Sequence, residues 1–125
     1  MNSGLYVVAT PIGNFGDMSQ RAIEVLQGVD LIAAEDTRHS QRLLQHFAIH
    51  TPAMSYHDHS DERALQRIGK CLADGGSVAL VSDAGTPLIS DPGYRLVRYV
   101  QDAGFAVYAL PGPCVASAAL SVSGL

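Results

Sequence analysis

The sequence predicts an α/β fold, an open, mainly parallel five-stranded sheet with helices on both faces. Three observations predict it. Short apolar runs rich in β-branched residues alternate with amphipathic helical patterns along the chain, the rhythm of βαβ units rather than of hairpins. The first and fourth runs, LYVVA at 5–9 and VALVS at 78–82, are continuous enough for strands buried on both faces. Helix start and stop signals fall between the runs, where crossover helices belong.

The first strand is expected over Leu5–Ala9. A helix over 18–28 follows, with Ile23 and Leu26 on one face and Asp17 as N-cap. Leu31–Ala34 forms the second strand, and Leu43 and Phe47 make the apolar face of a helix over 37–47 that Thr37 caps. The third strand, Ala53–Tyr56, leads to a helix over 60–73 with Ser60 as cap and Leu65, Ile68 and Leu72 inward. After the fourth strand, Val78–Ser82, Asp91 and Pro92 open a helix over 92–103 that buries Leu96, Val97 and Val100. Gly75 and Gly104 stand where left-handed C-terminal caps belong. Phe105–Leu110 is the fifth strand, and a fifth helix begins near Cys114 or Val115.

A chain of 125 residues fits one domain and buries roughly two-thirds of its unfolded surface. Its composition, 47% hydrophobic and 16% charged, excludes a disordered tail and a solvated coiled coil. The formal charge of −4 and the lack of any Lys or Arg run provide no long-range attraction for a polyanion. Cys71 and Cys114 lie far apart without Cys-x-x-Cys spacing, which suits a reducing cytoplasm, and both are expected as small core residues. The start MNSGLYVVATPIG has neither a basic region nor a long apolar run, so a cytoplasmic protein with no signal peptide or membrane span is expected. The apolar end ASAALSVSGL implies a chain that continues.

In an open parallel sheet all strands end on one edge, where ligands bind. The segments expected there are ATPIGNFGDMS, AEDTRHS, YHDHSDE, SDAGTPLISDPG and LPGPCVAS. Five of the six prolines fall in them, and each deletes an N–H donor while keeping a carbonyl. Loops rich in acceptors are the reverse of a phosphate cradle, and no Walker-type G-x-x-x-x-G-K-[ST] occurs; a neutral or cationic ligand fits better. Pro as plain strand punctuation is the competing explanation. TPIGNFGD misses the G-x-G-x-x-G dinucleotide pattern, although Glu35 or Asp36 stands where a ribose-binding acid would. Asp36 or Thr37 as a helix cap, with Arg38 paired to an acid, is the equal alternative. His57, Asp58, His59 and Asp61 make a weak metal pattern and no metal is expected, whereas His57 suits proton transfer near neutrality. His39, His46 and His50 carry no constellation, and no nucleophile elbow is present.

Taken together, LYVVATPIGN, DLIAAEDTRHS, SYHDHS, VALVSDAGTPLISDPG and LPGPCVASAAL resemble the N-terminal domain of the tetrapyrrole methylase superfamily of class III methyltransferases. Within it they resemble the ribosomal RNA small subunit methyltransferase I family, over essentially the whole chain and with the order of the blocks kept. The resemblance implies S-adenosyl-L-methionine as cofactor and methylation of a cytidine ribose 2′-hydroxyl in 16S ribosomal RNA of the small ribosomal subunit. It implies cofactor contacts at Pro11, Ile12, Thr86, Ile89, Cys114 and Val115. Relatives that methylate tetrapyrroles carry a Gly-rich first loop and Gly-Asp-Pro in the fourth. TPIGN and Gly85-Thr86-Pro87 stand here instead, so a contact made elsewhere by Asp falls to Thr86 or to backbone.

The resemblance also implies a C-terminal domain beyond residues 1–125 that completes the cofactor cleft, leaving the fragment alone inactive. A ribose hydroxyl needs a general base, for which Glu35, Asp36 and His57 are the candidates, with Arg38 as a phosphate contact. An acidic chain acting on RNA implies that basic surface comes from the second domain or from a homodimer partner. Two other functions compete: methylation of a tetrapyrrole or other small molecule, and a nucleotide-binding regulatory module without chemistry.

Overall fold

The computed structural model describes residues 1–10, 15–34, 37–56, 62–82 and 91–110. Along the chain these form β1 (Gly4–Ala9), a 3-10 turn over Phe15–Asp17, α1 (Gln20–Gly28), β2 (Leu31–Ala34) and α2 (Thr37–His46). There follow β3 (Ala53–Ser55), α3 (Glu62–Ala73), β4 (Ser77–Ser82), α4 (Asp91–Asp102) and β5 (Val107–Leu110). The strands make one parallel sheet in the order β3-β2-β4-β1-β5.

That order explains the layers. The steps from β1 to β2 and from β2 to β3 run one way across the sheet, and the steps from β3 to β4 and from β4 to β5 run back. Crossovers of one hand therefore place α1 and α2 on one face and α3 and α4 on the other. Two buried clusters follow from this. Tyr6, Val8, Ile32 and Val81 meet Val25 and Leu26 of α1 and Leu43 of α2, while Leu5, Val7 and Leu80 meet Ile68 and Leu72 of α3 and Leu96 and Val97 of α4. Alternate residues of one strand serve opposite clusters, so every residue of β1 and β2 is buried. Tyr6 and Tyr108, partners in register on β1 and β5, stack with ring centroids 4.9 Å apart.

The helix ends show local chemistry at work. Ser19, not Asp17, caps α1: its hydroxyl accepts from the Ala22 N–H at 3.1 Å. Asp17 is drawn into the 3-10 turn, which the Met18 N–H closes on the Phe15 carbonyl at 3.1 Å. At the end of α3 the Gly76 and Gly75 N–H groups bond the Cys71 and Leu72 carbonyls at 2.9 and 3.0 Å. At the end of α4, Phe105 and Gly104 do the same to Val100 and Gln101 at 3.0 Å each. Both are Schellman motifs, with Gly75 and Gly104 at φ +87°. Helix α2 closes identically through Ile49 and Ala48, which bond Leu44 and Gln45, but with alanine at φ 53°. A Cβ in that conformation costs about 1 kcal/mol.

At the amino-terminal edge Asp30 joins β2 to β4. Its N–H donates to the Ser77 carbonyl and its Oδ2 accepts from the Ser77 N–H, both at 2.9 Å. Strands β3 and β5 are each shorter than the sequence suggests, β3 stopping before Tyr56 and β5 starting at Val107. Both lie at the margins of the sheet, where a single neighbour supports the ladder.

Candidate functional site

The carboxyl ends of all five strands lie on one edge. Ala9 pairs with Ser82, Val81 with Ala34, Ala34 with Ser55, and Val8 with Leu110, so the strands stop within about one residue of one another. Ala9, Ala34, Ser55, Ser82 and Leu110 occupy these ends. Thr10 continues β1 with no exposed surface.

Neighbouring strands part company at this edge. After β1 the chain reappears in the 3-10 turn and α1 on one face; after β4, adjacent to β1, it reappears in α4 on the other. This divergence makes the crevice of an open α/β sheet, where ligands bind.

The strand order also sorts the residues singled out by sequence. Pro11 and Ile12 follow β1, Thr86 and Ile89 follow β4, and Cys114 and Val115 follow β5. Those three strands are contiguous at one end of the sheet. Glu35 and Asp36 follow β2 and His57 follows β3, the two strands at the other end. All nine residues lie outside the described residues; what is established is the strand each one follows. The capping position Ser60 and the helix expected near Cys114 lie outside them too. Arg38 is described: it stands exposed in the first turn of α2, two residues past Asp36.

Two histidines that sequence reading left without a role belong to an aromatic cluster. Phe15 lies 5.9 Å from the His39 ring and 5.1 Å from that of His46, with Phe47 at 6.3 Å. The seven-residue spacing of His39 and His46 puts both on one side of α2, which was the available signal. The cluster pins the return of the chain after β1 to the helix that starts after Glu35 and Asp36.

The charges have a place in the fold as well. The segments following the five strands, 11–14, 35–36, 57–61, 83–90 and 111–125, contain Glu35, Asp36, Asp58, Asp61 and Asp83 and no Lys or Arg. Arg38 stands two residues past Asp36 and Arg63 two past Asp61; the acids outnumber these bases, and an acidic excess favours a cationic ligand over a free phosphate.

Other hollows lie elsewhere. One, of about 370 Å³, sits at the amino-terminal edge among Asp30, Cys71, Asp74 and Gly76. Burial, then the carboxylates of Asp30 and Asp74, raise the Cys71 thiol above its ordinary range despite Arg67, so this half-buried cysteine is a poor nucleophile. Another, of about 480 Å³, runs between α3 and α4 along Leu65, Arg95 and Tyr99. Among the described residues no three His, Cys, Asp or Glu side chains gather as a metal site, and no helix is long and apolar enough to cross a membrane.

Comparison with known proteins agrees with this geometry. The family model of Tetrapyrrole (Corrin/Porphyrin) Methylases matches residues 4–125. The chain is 58% identical over 97% of its length to "Ribosomal RNA small subunit methyltransferase I" of Escherichia coli O157:H7, and 57% identical over 97% to the protein of that name from Vibrio cholerae. It spans 42% of the length of each. Among solved structures, uroporphyrin-III-C-methyltransferase from Thermus thermophilus superposes over the whole chain and 54% of its own, at a TM-score of 0.69 and 20% identity. The cobalt precorrin-4 methyltransferase CbiF superposes over 96% of the chain and 50% of its own, at a TM-score of 0.72 and 17% identity. These two establish the fold.

Proposed function

Because the chain belongs to the Tetrapyrrole (Corrin/Porphyrin) Methylase family, we propose that it forms the N-terminal domain of a methyltransferase that uses S-adenosyl-L-methionine. Its substrate is 16S ribosomal RNA in the small ribosomal subunit, and the reaction is 2′-O-methylation of a cytidine ribose. The observation that carries this reading is identity of 58% and 57% to relatives named as small-subunit ribosomal RNA methyltransferases. Its setting is the cytoplasm, and the working unit is a homodimer whose C-terminal domains complete the clefts.

The residues present fit the cofactor. A sulfonium is a cation, and the strand-end segments provide acids and proline-flanked carbonyls, with Arg38 their one base. Pro11 and Ile12, Thr86 and Ile89, and Cys114 and Val115, which follow β1, β4 and β5, would hold it. Proline-stiffened segments lose little entropy on binding. When bound, the cofactor supplies an electrophilic methyl group.

What this chain's residues must add is a base and an orientation. A 2′-hydroxyl is a weak nucleophile until its proton is removed, and Glu35, Asp36 or His57 receives that proton. Arg38 holds a neighbouring phosphate and so orients the ribose.

Titration calorimetry of the full-length protein with S-adenosylmethionine tests the reading. Binding is expected; no binding, together with a thermal shift from NAD or ATP, would overturn it in favour of a nucleotide-responsive module. Methylation of a tetrapyrrole but not of small subunits would leave the cofactor and remove the RNA.

A further inference from the structure

The acidity of the chain hides a basic end. Helices α2 and α3 carry Arg38, Arg42, Arg63, Arg67 and Lys70 against the single acid Glu62, a formal charge of +4 in a chain of −4. Helices α1 and α4 carry Arg21, Arg95 and Arg98 against Glu24, Asp91 and Asp102, a formal charge of zero. All five bases on α2 and α3 are exposed. Arg63, Arg67 and Lys70 repeat at four and three residues, and Arg38 and Arg42 at four, so each helix shows a basic stripe along one side.

The topology brings the two stripes to the same end of the sheet. Strand β3 is the margin. Helix α2 packs against it, and Met54 of β3 packs on the opposite face into the cluster containing Ala64 and Ile68 of α3. The two helices that carry the stripes thus flank one sheet margin from its two faces. Each begins at the carboxyl edge, Arg38 in the first turn of α2 and Arg63 in that of α3, beside the segments with Glu35, Asp36 and His57.

We propose that this margin, formed by Arg42, Arg63, Arg67 and Lys70 together with Arg38, is the surface by which the domain docks the phosphodiester backbone of its RNA. The inference rests on the RNA reading above and adds a location to it. Basic surface need not come wholly from a second domain or a partner copy. Phosphates on the two stripes position a nucleotide at the β2/β3 end, while the acidic edge remains for a cationic donor. A protein partner would also find charge here, but an acidic protein surface lacks the regular phosphate spacing that a three-charge stripe tracks.

The test compares the full-length protein with two variants: Arg42→Gln/Arg63→Gln/Arg67→Gln/Lys70→Gln, and Arg95→Gln/Arg98→Gln on α4. Binding to naked 16S ribosomal RNA and to small subunits is measured from low to moderate salt, with S-adenosylmethionine binding and thermal melting alongside. The first variant is expected to lose about tenfold or more in RNA affinity and about 3 units of the salt slope. Its cofactor affinity and melting should stay unchanged, and the α4 variant should lose less than about twofold. Equal losses in both variants, or none in either, would overturn the proposal. Loss on subunits but not on naked RNA would overturn it in favour of a protein partner. Failure of the unsubstituted protein to bind RNA would instead strike the function proposed above.

Discussion

The two ends of the sheet are built differently. Strands β4, β1 and β5 form a stiff end: β1 and β4 pair over six residues in full register from Gly4 with Ser77 to Ala9 with Ser82, and Tyr6 stacks on Tyr108. Strands β2 and β3 form a lighter end: β2 is buried throughout, but its margin β3 pairs over three residues and stays half exposed, against four residues for β5, the margin of the other end. The proposed cofactor contacts all follow strands of the stiff end, and the proposed bases and phosphate contact follow strands of the light end. The proposed assignments describe a division of labour. A small donor that must be held in line profits from a rigid frame, whereas a large substrate needs an accessible margin with charge around it.

Core truncation is expected to show the contrast most strongly. Leu80 of β4 has no exposed surface, and Leu80→Ala should cost about 2 to 5 kcal/mol in urea denaturation. Met54→Ala in β3 should cost about 1 kcal/mol. Equal costs would break the distinction between the ends.

The joint between the ends should be next. Asp30→Ala leaves the Ser77 N–H unpaired, with Ser77 buried, and should cost about 1 to 3 kcal/mol by thermal or chemical unfolding. If stability is unchanged, Asp30 does not join β2 to β4 as described. A smaller loss, about 1 kcal/mol, is expected for Ser19→Ala, because the Ala22 N–H loses its cap; Asp17→Ala should cost less in the same measurement. The smallest effect has the opposite sign. Ala48→Gly, in the connection leading to β3, relieves a left-handed alanine and should stabilise by about 0.5 to 1 kcal/mol. Destabilisation would show that the turn tolerates its Cβ at no cost.

Much of this was legible in the chain. Continuous apolar runs such as LYVVA mark buried strands, and Gly75 and Gly104 mark helix ends, because both depend on local chemistry. The order β3-β2-β4-β1-β5 was not legible, since it is set by pairing between residues far apart, such as Val8 with Val81. Without the order, the segments that end at one edge form an undivided set. The sorting of Pro11, Thr86 and Cys114 away from Glu35 and His57 follows only from knowing that β4 and β1 are neighbours. The Asp17 cap failed for a local reason: the 3-10 turn absorbs it and hands the cap to Ser19. Net charge was silent on a third feature, because a sum over the chain does not reveal that five of the twelve acids follow strands while five of the eight Lys and Arg lie on α2 and α3.

The most direct test of the division is a pair of readouts on single variants of the full-length protein: calorimetric affinity for S-adenosylmethionine, and the rate of ribose methylation on small subunits. Thr86→Arg, at the stiff end, should abolish measurable cofactor binding. Among Glu35→Gln, Asp36→Asn and His57→Ala, at least one should slow methylation by about a hundredfold or more, with cofactor affinity kept within about twofold. If cofactor affinity falls with the light-end variants as it does with Thr86→Arg, the two ends share one task and the account is wrong.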